Sequence, residues 1–462
     1  MSAIRQRPGS GFRVFHARRR RPLIPYLLYL LYVLYGPGGF LPGLEVTLLA
    51  QDRLSSLATS QQLTAGASRL SVEEAVREAL DHNLTLVAER YSVSVARARI
   101  LTAQLRPNPV LTVNAMLPDT TVYDNDVSPR EGVIRTDFLF ERGSKRDRRI
   151  EVAEAAQSVA ELQLLNTIRK TVLDVQAACV DVVLARENLA LARASLDAFN
   201  SIVQVNTIRV RTGDLAGVEL DRSRLAALQF QNEVRQQEAK LVVARNKLRT
   251  LLGRPPRQDV DVADELRRDQ ALVDLEAVGT RALQQRPDLL ALRREEARTS
   301  ADVRLQIAQG KIDYTISGEF HHQHQGLPNP AGGNLYAAYV SVPLPFFNRN
   351  QGEIARAHEE EHQAESRIRA LEADIAAEVQ AAYTNYSAAR DVVDTIESQM
   401  LTRARDVRST TEYSYRAGEA SFIEFLDAVR TFNETMRSYN EARAEYARSL
   451  YALDSTAGRM TP

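Results

Sequence analysis

The chain has 462 residues, more than one ordinary domain holds. Lys plus Arg and Asp plus Glu balance at 59 each, so net charge gives no reason to expect a nucleic-acid partner. A single cysteine, Cys179, excludes an internal disulfide. It falls at an apolar helical position and reads as a small buried hydrophobe rather than a reactive thiol.

Residues 1–50 read as a secretory leader. Arg18-Arg19-Arg20-Arg21 precede an apolar run from Leu23 to Tyr35, and small residues and prolines follow. Cleavage is expected near Ala50-Gln51; a disordered basic tail is the alternative. Beyond this segment no apolar run approaches ~18 residues, so no later helix is expected to span a bilayer. Membrane insertion would have to use strands. Residues 51–70 are polar and read as a flexible lead-in.

Ser71, with Glu74 three residues on, forms a capping box that opens a helix. The helix is expected to run to about Gln104, where Pro107-Asn108-Pro109 stops it. A strand follows, in which Leu111, Val113, Ala115 and Leu117 alternate with Thr112, Asn114 and Met116. After a loop from Pro118 to Pro129, a return strand puts Ile134, Thr136, Phe138 and Phe140 on one face. Arg135 and Asp137 lie on the other. From Ser144 to Arg209 there is neither Pro nor Gly. At ~1.5 Å per residue such a helix is roughly 100 Å long. Ile168, Val172, Val175, Cys179 and Val182 step by four and three, the spacing of coiled-coil packing. The helix ends at a turn containing Gly213. A second helix returns, and Gly253-Arg254-Pro255-Pro256 closes the segment.

Residues 254–273 read as a linker, after which the plan repeats. Ile312, Tyr314, Ile316 and Phe320 alternate with Asp313, Thr315, Ser317 and Glu319. Beyond a Gly/Pro/Asn loop, Tyr336, Ala338, Val340, Val342 and Leu344 share a face. A long helix is expected from Glu353 to Arg416, then a turn at Gly418. On the last helix Phe425, Val429, Phe432, Met436 and Tyr439 carry the stripe, continued by Tyr446, Leu450 and Leu453.

Direct matches support a duplication. Val175-Gln176-Ala177-Ala178 recurs as Val379-Gln380-Ala381-Ala382, an offset of 204, with Arg186 and Arg390 at the same distance. Arg211-Thr212-Gly213-Asp214 matches Arg416-Ala417-Gly418-Glu419 at 205, and Ala79-Leu80 matches Ala282-Leu283 at 203. The period far exceeds the ~20–50 residues of a solenoid. The chain is therefore two halves, residues 71–253 and 274–457, with a tail at 458–462. The fold class is mainly α with a small β part. Four strands cannot close a barrel around water, whereas three chains would supply twelve. Soluble hairpins with one buried face are the alternative.

With these features the sequence resembles the TolC-like outer-membrane efflux proteins over about residues 70–457. One motif is Val342-Pro343-Leu344-Pro345-Phe346-Phe347-Asn348-Arg349-Asn350-Gln351-Gly352, which is similar to the cation-efflux (Czc-type) branch. The other is Tyr415-Arg416-Ala417-Gly418-Glu419 followed by Phe422-Ile423-Glu424-Phe425-Leu426-Asp427-Ala428. The resemblance implies a homotrimer with a 12-stranded outer-membrane barrel continued by a coiled-coil periplasmic tunnel. Its place would be the outer membrane of a Gram-negative bacterium, in contact with lipid. It also implies a periplasmic adaptor and an inner-membrane, proton-driven pump as partners. The implied function is a passive exit channel for metal cations or small drugs, not an enzyme, with no cofactor. Glu424 and Asp427 match the family's acidic aperture positions, Tyr415 its gate tyrosine and Glu219 that tyrosine's hydrogen-bond partner. Gly213 and Gly418 mark the hairpin tips. Where well-known members carry a gate arginine, this chain has Ala420.

Three readings compete. A type I secretion duct uses the same kind of channel, and a coiled-coil scaffold would have no pore. A zinc peptidase would use His358 and His362 of His358-Glu359-Glu360-Glu361-His362, where Glu359 would be the base. That motif lacks a nameable third ligand and reads more simply as a polar helix face. His321, His322 and His324 close a strand beside a loop; they are a candidate metal contact or a hydrated surface.

Overall fold

The computed structural model describes residues 68–116, 131–269, 272–323 and 332–459. The leader, most of the lead-in, Leu117, His324 and residues 460–462 lie outside the described residues. A short strand β1 (Ser68–Leu70) precedes helices α1 (Val72–His82) and α2 (Leu84–Gln104). Strands β2 (Val110–Met116) and β3 (Glu131–Phe140) follow, then α3 (Lys145–Thr212) and α4 (Gly217–Leu251). After β4 (Val260–Val262) the order recurs as α5 (Leu275–Gln285), α6 (Pro287–Gln309), β5 (Tyr314–Gln323) and β6 (Gly333–Ser341). The second long helix comprises α7 (Gln351–Thr395), a π turn (Ile396–Met400) and α8 (Leu401–Ala417); α9 (Phe422–Thr456) is the last described element.

Four sequence expectations need correction. The helix expected from Ser71 to Gln104 breaks at Asn83, whose backbone is extended. Asn83 Oδ1 accepts from the Thr85 and Leu86 N–H groups, and its amide donates to the Leu251 carbonyl at 2.8 Å. An asparagine that caps a new helix and ties it to α4 outweighs simple continuation. The segment read as a linker contains β4, which pairs in parallel with β1. The end of the lead-in is therefore a strand. Past β4, Arg267 reaches Asp454 at 2.6 Å and Arg268 grips Glu397 with both terminal nitrogens. The helix from Glu353 to Arg416 is interrupted by the π turn, where Glu397 also accepts from the Tyr439 hydroxyl at 2.7 Å. Finally, Val342 and Leu344 lie past the end of β6. Pro343 and Pro345 have no N–H to continue a ladder.

The predicted stripes pack as expected. Val172, Val175, Cys179 and Val182 of α3 are buried with Ala75, Val76 and Ala79 of α1 and Leu241 and Leu248 of α4. Burial pushes the Cys179 thiol up to about 12, which leaves it inert at neutral pH. Leu450 and Leu453 of α9 pack with Ile375, Val379 and Tyr386 of α7.

The larger sheet has the order β2-β3-β5-β6, antiparallel throughout. Register places Arg135, Asp137, Ser317, Glu319, His321 and Tyr339 on one face. They are linked there: Arg135 reaches Asp137 at 2.7 Å and Ser317 at 3.1 Å, and its guanidinium lies over the Tyr339 ring. The other face carries Ile134, Phe138, Phe140, Tyr314, Ile316, Phe320, Tyr336 and Val340, with Phe140 stacked on Tyr314 and Phe320 against Tyr336. This apolar face is uncovered: Tyr336 is 76% and Val340 71% exposed. A soluble hairpin would bury it. No described helix is long and apolar enough to cross a membrane.

Candidate functional site

The two hairpin tips are built alike. Gly213 and Gly418 both have φ +86°, a left-handed conformation that glycine adopts without a Cβ penalty. At the first tip Gly213 N–H donates to the Val210 carbonyl and Asp214 N–H to Arg209; at the second, Gly418 donates to Tyr415 and Glu419 to Ser414. These are paired Schellman bonds, which satisfy the last carbonyls of each long helix. The following helices start differently. Ala216 gives α4 no side-chain cap, whereas Ser421 and Glu424 form a capping box on α9.

The tips meet in one core. Phe199 and Ile202 of α3, Ala226 of α4, Tyr415 of α8 and Phe422, Phe425 and Val429 of α9 are buried together. Phe425 packs against Phe199 at 5.6 Å and stacks on Tyr415 at 5.3 Å between centroids. Tyr415 is only 3% exposed. Burial raises the pKa of its phenol, so it is a neutral donor at physiological pH.

The hydrogen bond expected between Tyr415 and Glu219 is not made. The Tyr415 hydroxyl donates to Asn206 Oδ1 at 2.8 Å, and Glu219 pairs with Arg222 at 2.6 Å, one turn along its own helix. The physical reason is position. Tyr415 points inward to α3, and Asn206 is fully buried there. Glu219 lies in the first turn of α4, where its carboxylate is engaged by Arg222. Asn206 Nδ2 has no hydrogen-bond partner among the described residues.

Sequence reasoning missed Arg209 as well as Asn206. Arg209, in the last turn of α3, sends its guanidinium across to the second tip and donates to the Tyr415 carbonyl at 3.4 Å.

Glu424 and Asp427 are exposed on the solvent side of α9, opposite Phe422, Phe425 and Val429. One Glu424 oxygen accepts from Ser421 N–H at 2.8 Å and from the Ser421 hydroxyl at 3.0 Å. The backbone bond and then the hydroxyl bond hold this carboxyl below its ordinary range. The charge, and the cap it supports, therefore persist as pH falls through the ordinary carboxylate range and are lost only below it. If this charge attracts cations, the cation preference of a reconstituted channel should be unchanged from neutral pH to about 5. It should decline only below the ordinary carboxylate range. Bi-ionic potentials measured across that range check this. A decline that is complete by about pH 5 would exclude Glu424.

Among the described residues the candidate histidines do not assemble a metal centre. His358 and His362 are exposed and lie 3.7 Å and 3.8 Å from Glu361 and Glu365 respectively, each one turn on. His321 lies 3.3 Å from Glu131 on the polar face of the sheet, while His322 meets Asn334 on the opposite face. Adjacent strand residues point apart, so the two cannot share an ion. No group of three metal-ligating side chains occurs among the described residues.

The sequence pattern of the family described as "Outer membrane efflux protein" matches residues 75–254 and 278–459. The chain belongs to the outer membrane efflux protein family. It is also similar to the cobalt-zinc-cadmium resistance protein CzcC of Cupriavidus metallidurans, at 25% identity over 85% of this chain and 91% of that protein. Among solved structures, CusC superposes with a TM-score of 0.69 at 16% identity, over 86% of this chain and 96% of CusC. VceC of Vibrio cholerae gives 0.69 at 18% identity, over 84% and 96%. These likenesses establish the TolC-like fold. Membership of this family makes the chain a transport protein, not an enzyme.

Proposed function

We propose that three copies of this efflux protein form a passive exit duct through the outer membrane, with metal cations as cargo. A periplasmic adaptor would dock at the Gly213 and Gly418 tips, and an inner-membrane, proton-driven pump would supply the energy. The observation that carries this reading is the sheet. It has an uncovered apolar face, a linked polar face and two unpaired edges, β2 and β6. In water such edges and such a face are liabilities. Closure with other copies removes the edges, turns the apolar face to lipid and encloses the polar one. The metal cargo is carried over from the similarity to CzcC, and an acidic aperture of Glu424 and Asp427 suits it.

Strand direction and duplication together give the junction between copies. β6 runs opposite to β2, so β6 of one copy can extend the antiparallel order onto β2 of the next. Inside the chain, the foot of β3 meets the foot of β5, where Arg142 N–H donates to Asp313 at 2.8 Å and Lys145 pairs with Asp313 at 2.6 Å. Asn108 stands in the first half where Asp313 stands in the second, and Asn348 where Arg142 stands in the first. Ser144 and Asn350, both left-handed, fix that alignment. The junction therefore brings Asn348 of one copy to Asn108 of the next. In a chain carrying Asn108→Cys and Asn348→Cys, oxidation should give covalent trimers on a denaturing gel. Only monomers, recovered from assembled protein, would sink the pairing.

A further inference from the structure

We infer that Arg209 is the residue that ties the two hairpin tips of one chain together. The inference rests on the duct reading above and adds a holding residue to it. Three observations carry it. First, Arg209 belongs to the last turn of α3, yet its Nη1 donates to the carbonyl of Tyr415, in the last turn of α8. Carbonyls at a helix C-terminus carry partial negative charge, so a guanidinium is the fitting donor there. Second, the two tip glycines share one backbone conformation but not one environment. A Cβ on Gly418 would lie 3.0 Å from Arg209 Nη2, whereas one on Gly213 would meet nothing within 4 Å. The missing side chain at Gly418 thus gives Arg209 its place over the turn, and no residue does the same at Gly213. Third, the duplication does not repeat Arg209. The matching position in the second half is Ser414, so the contact runs one way, from the first hairpin to the second.

The contact closes around the bond that Tyr415 already makes. Tyr415 is held at its hydroxyl by Asn206 and at its carbonyl by Arg209, both from α3. Any separation of α8 from α3 would break both bonds together. Arg209 has further N–H donors that the Tyr415 carbonyl does not use, so a polar contact elsewhere could receive it after release.

The test is single-channel recording of the assembled full chain in a planar bilayer. Wild type is compared with Arg209→Ala and Arg209→Lys. The expected result is a several-fold rise in open probability for Arg209→Ala, with Arg209→Lys close to wild type because a charged donor is retained. A purely structural role would not show rescue by lysine. If Arg209→Ala does not assemble, Arg209→Gln keeps a donor without the charge, and the same rise is expected. Current in every form, with open probability unchanged in the uncharged variants, would overturn the tie while leaving the duct intact. No current from folded protein in any form would overturn the duct reading, and the tie with it.

Discussion

Converting Glu424 and Asp427 together to their amides should lower the cation-over-anion permeability ratio of the reconstituted channel by about tenfold. Three copies would place six carboxylates around one opening, and focusing by a confined like-charged rim is what concentrates counter-ions there. The amides are the informative substitutions. Alanine at 424 would remove the group that accepts from Ser421, and would confuse a lost charge with a lost helix cap. Glutamine keeps an acceptor in place. Reversal potentials in asymmetric salt give the ratio directly. A pore whose selectivity survives the double change would place the aperture elsewhere and leave Glu424 as a capping residue alone.

Phe425→Ala should be the most damaging single change at the tip. Phe425 is buried against Phe199 and Tyr415, and the loss of such a side chain costs about 3–5 kcal/mol where the site cannot collapse. The effect should be local. The tip core is separate from the two clusters that hold α1 to α4 and α7 to α9. Hydrogen exchange should therefore lose protection around Asn206, Tyr415 and Val429, while amides near Val175 and Leu450 keep theirs. Uniform loss of protection would mean that the tip and the body unfold as one unit, contrary to this division.

Much of this architecture was legible because its signals are repetitive. Alternation over β2, β3, β5 and β6 separated the two faces of the sheet before any register was known. Runs without Pro or Gly marked the long helices. The corrections fall where a single side chain decides. Asn83 breaks a helix because its side-chain oxygen accepts from two backbone N–H groups, although the flanking pattern is helical on both sides. The strand at Val260–Val262 is three residues long and pairs with a segment some 190 positions away, beyond any local pattern. At the tip, Glu219 was the expected partner of Tyr415, but side-chain direction within the folded core chose Asn206. The capping box at Ser421 and Glu424 has the same form as the one at Ser71 and Glu74, and was readable from the sequence by that rule.

The π turn has a further meaning when set beside the duplication. Matching residues are 204 apart at Val175 and Val379 and at Arg186 and Arg390, but 205 apart at Gly213 and Gly418. Between those points the second half holds one residue more than the first. A π turn is how a helix absorbs one surplus residue without breaking. The buried positions record the shift in phase. Ile375, Val379, Tyr386, Ala389, Val393 and Ile396 lie on one stripe, and the next buried residue is Leu401, five on rather than four. Two further sevens from Leu401 lead through Arg408, whose guanidinium covers the Phe432 ring, to Tyr415. With the surplus residue but no π turn, the same stripe would have brought Ser414 inward. The π turn, far up the helix, is thus what keeps a tyrosine rather than a serine turned toward Asn206.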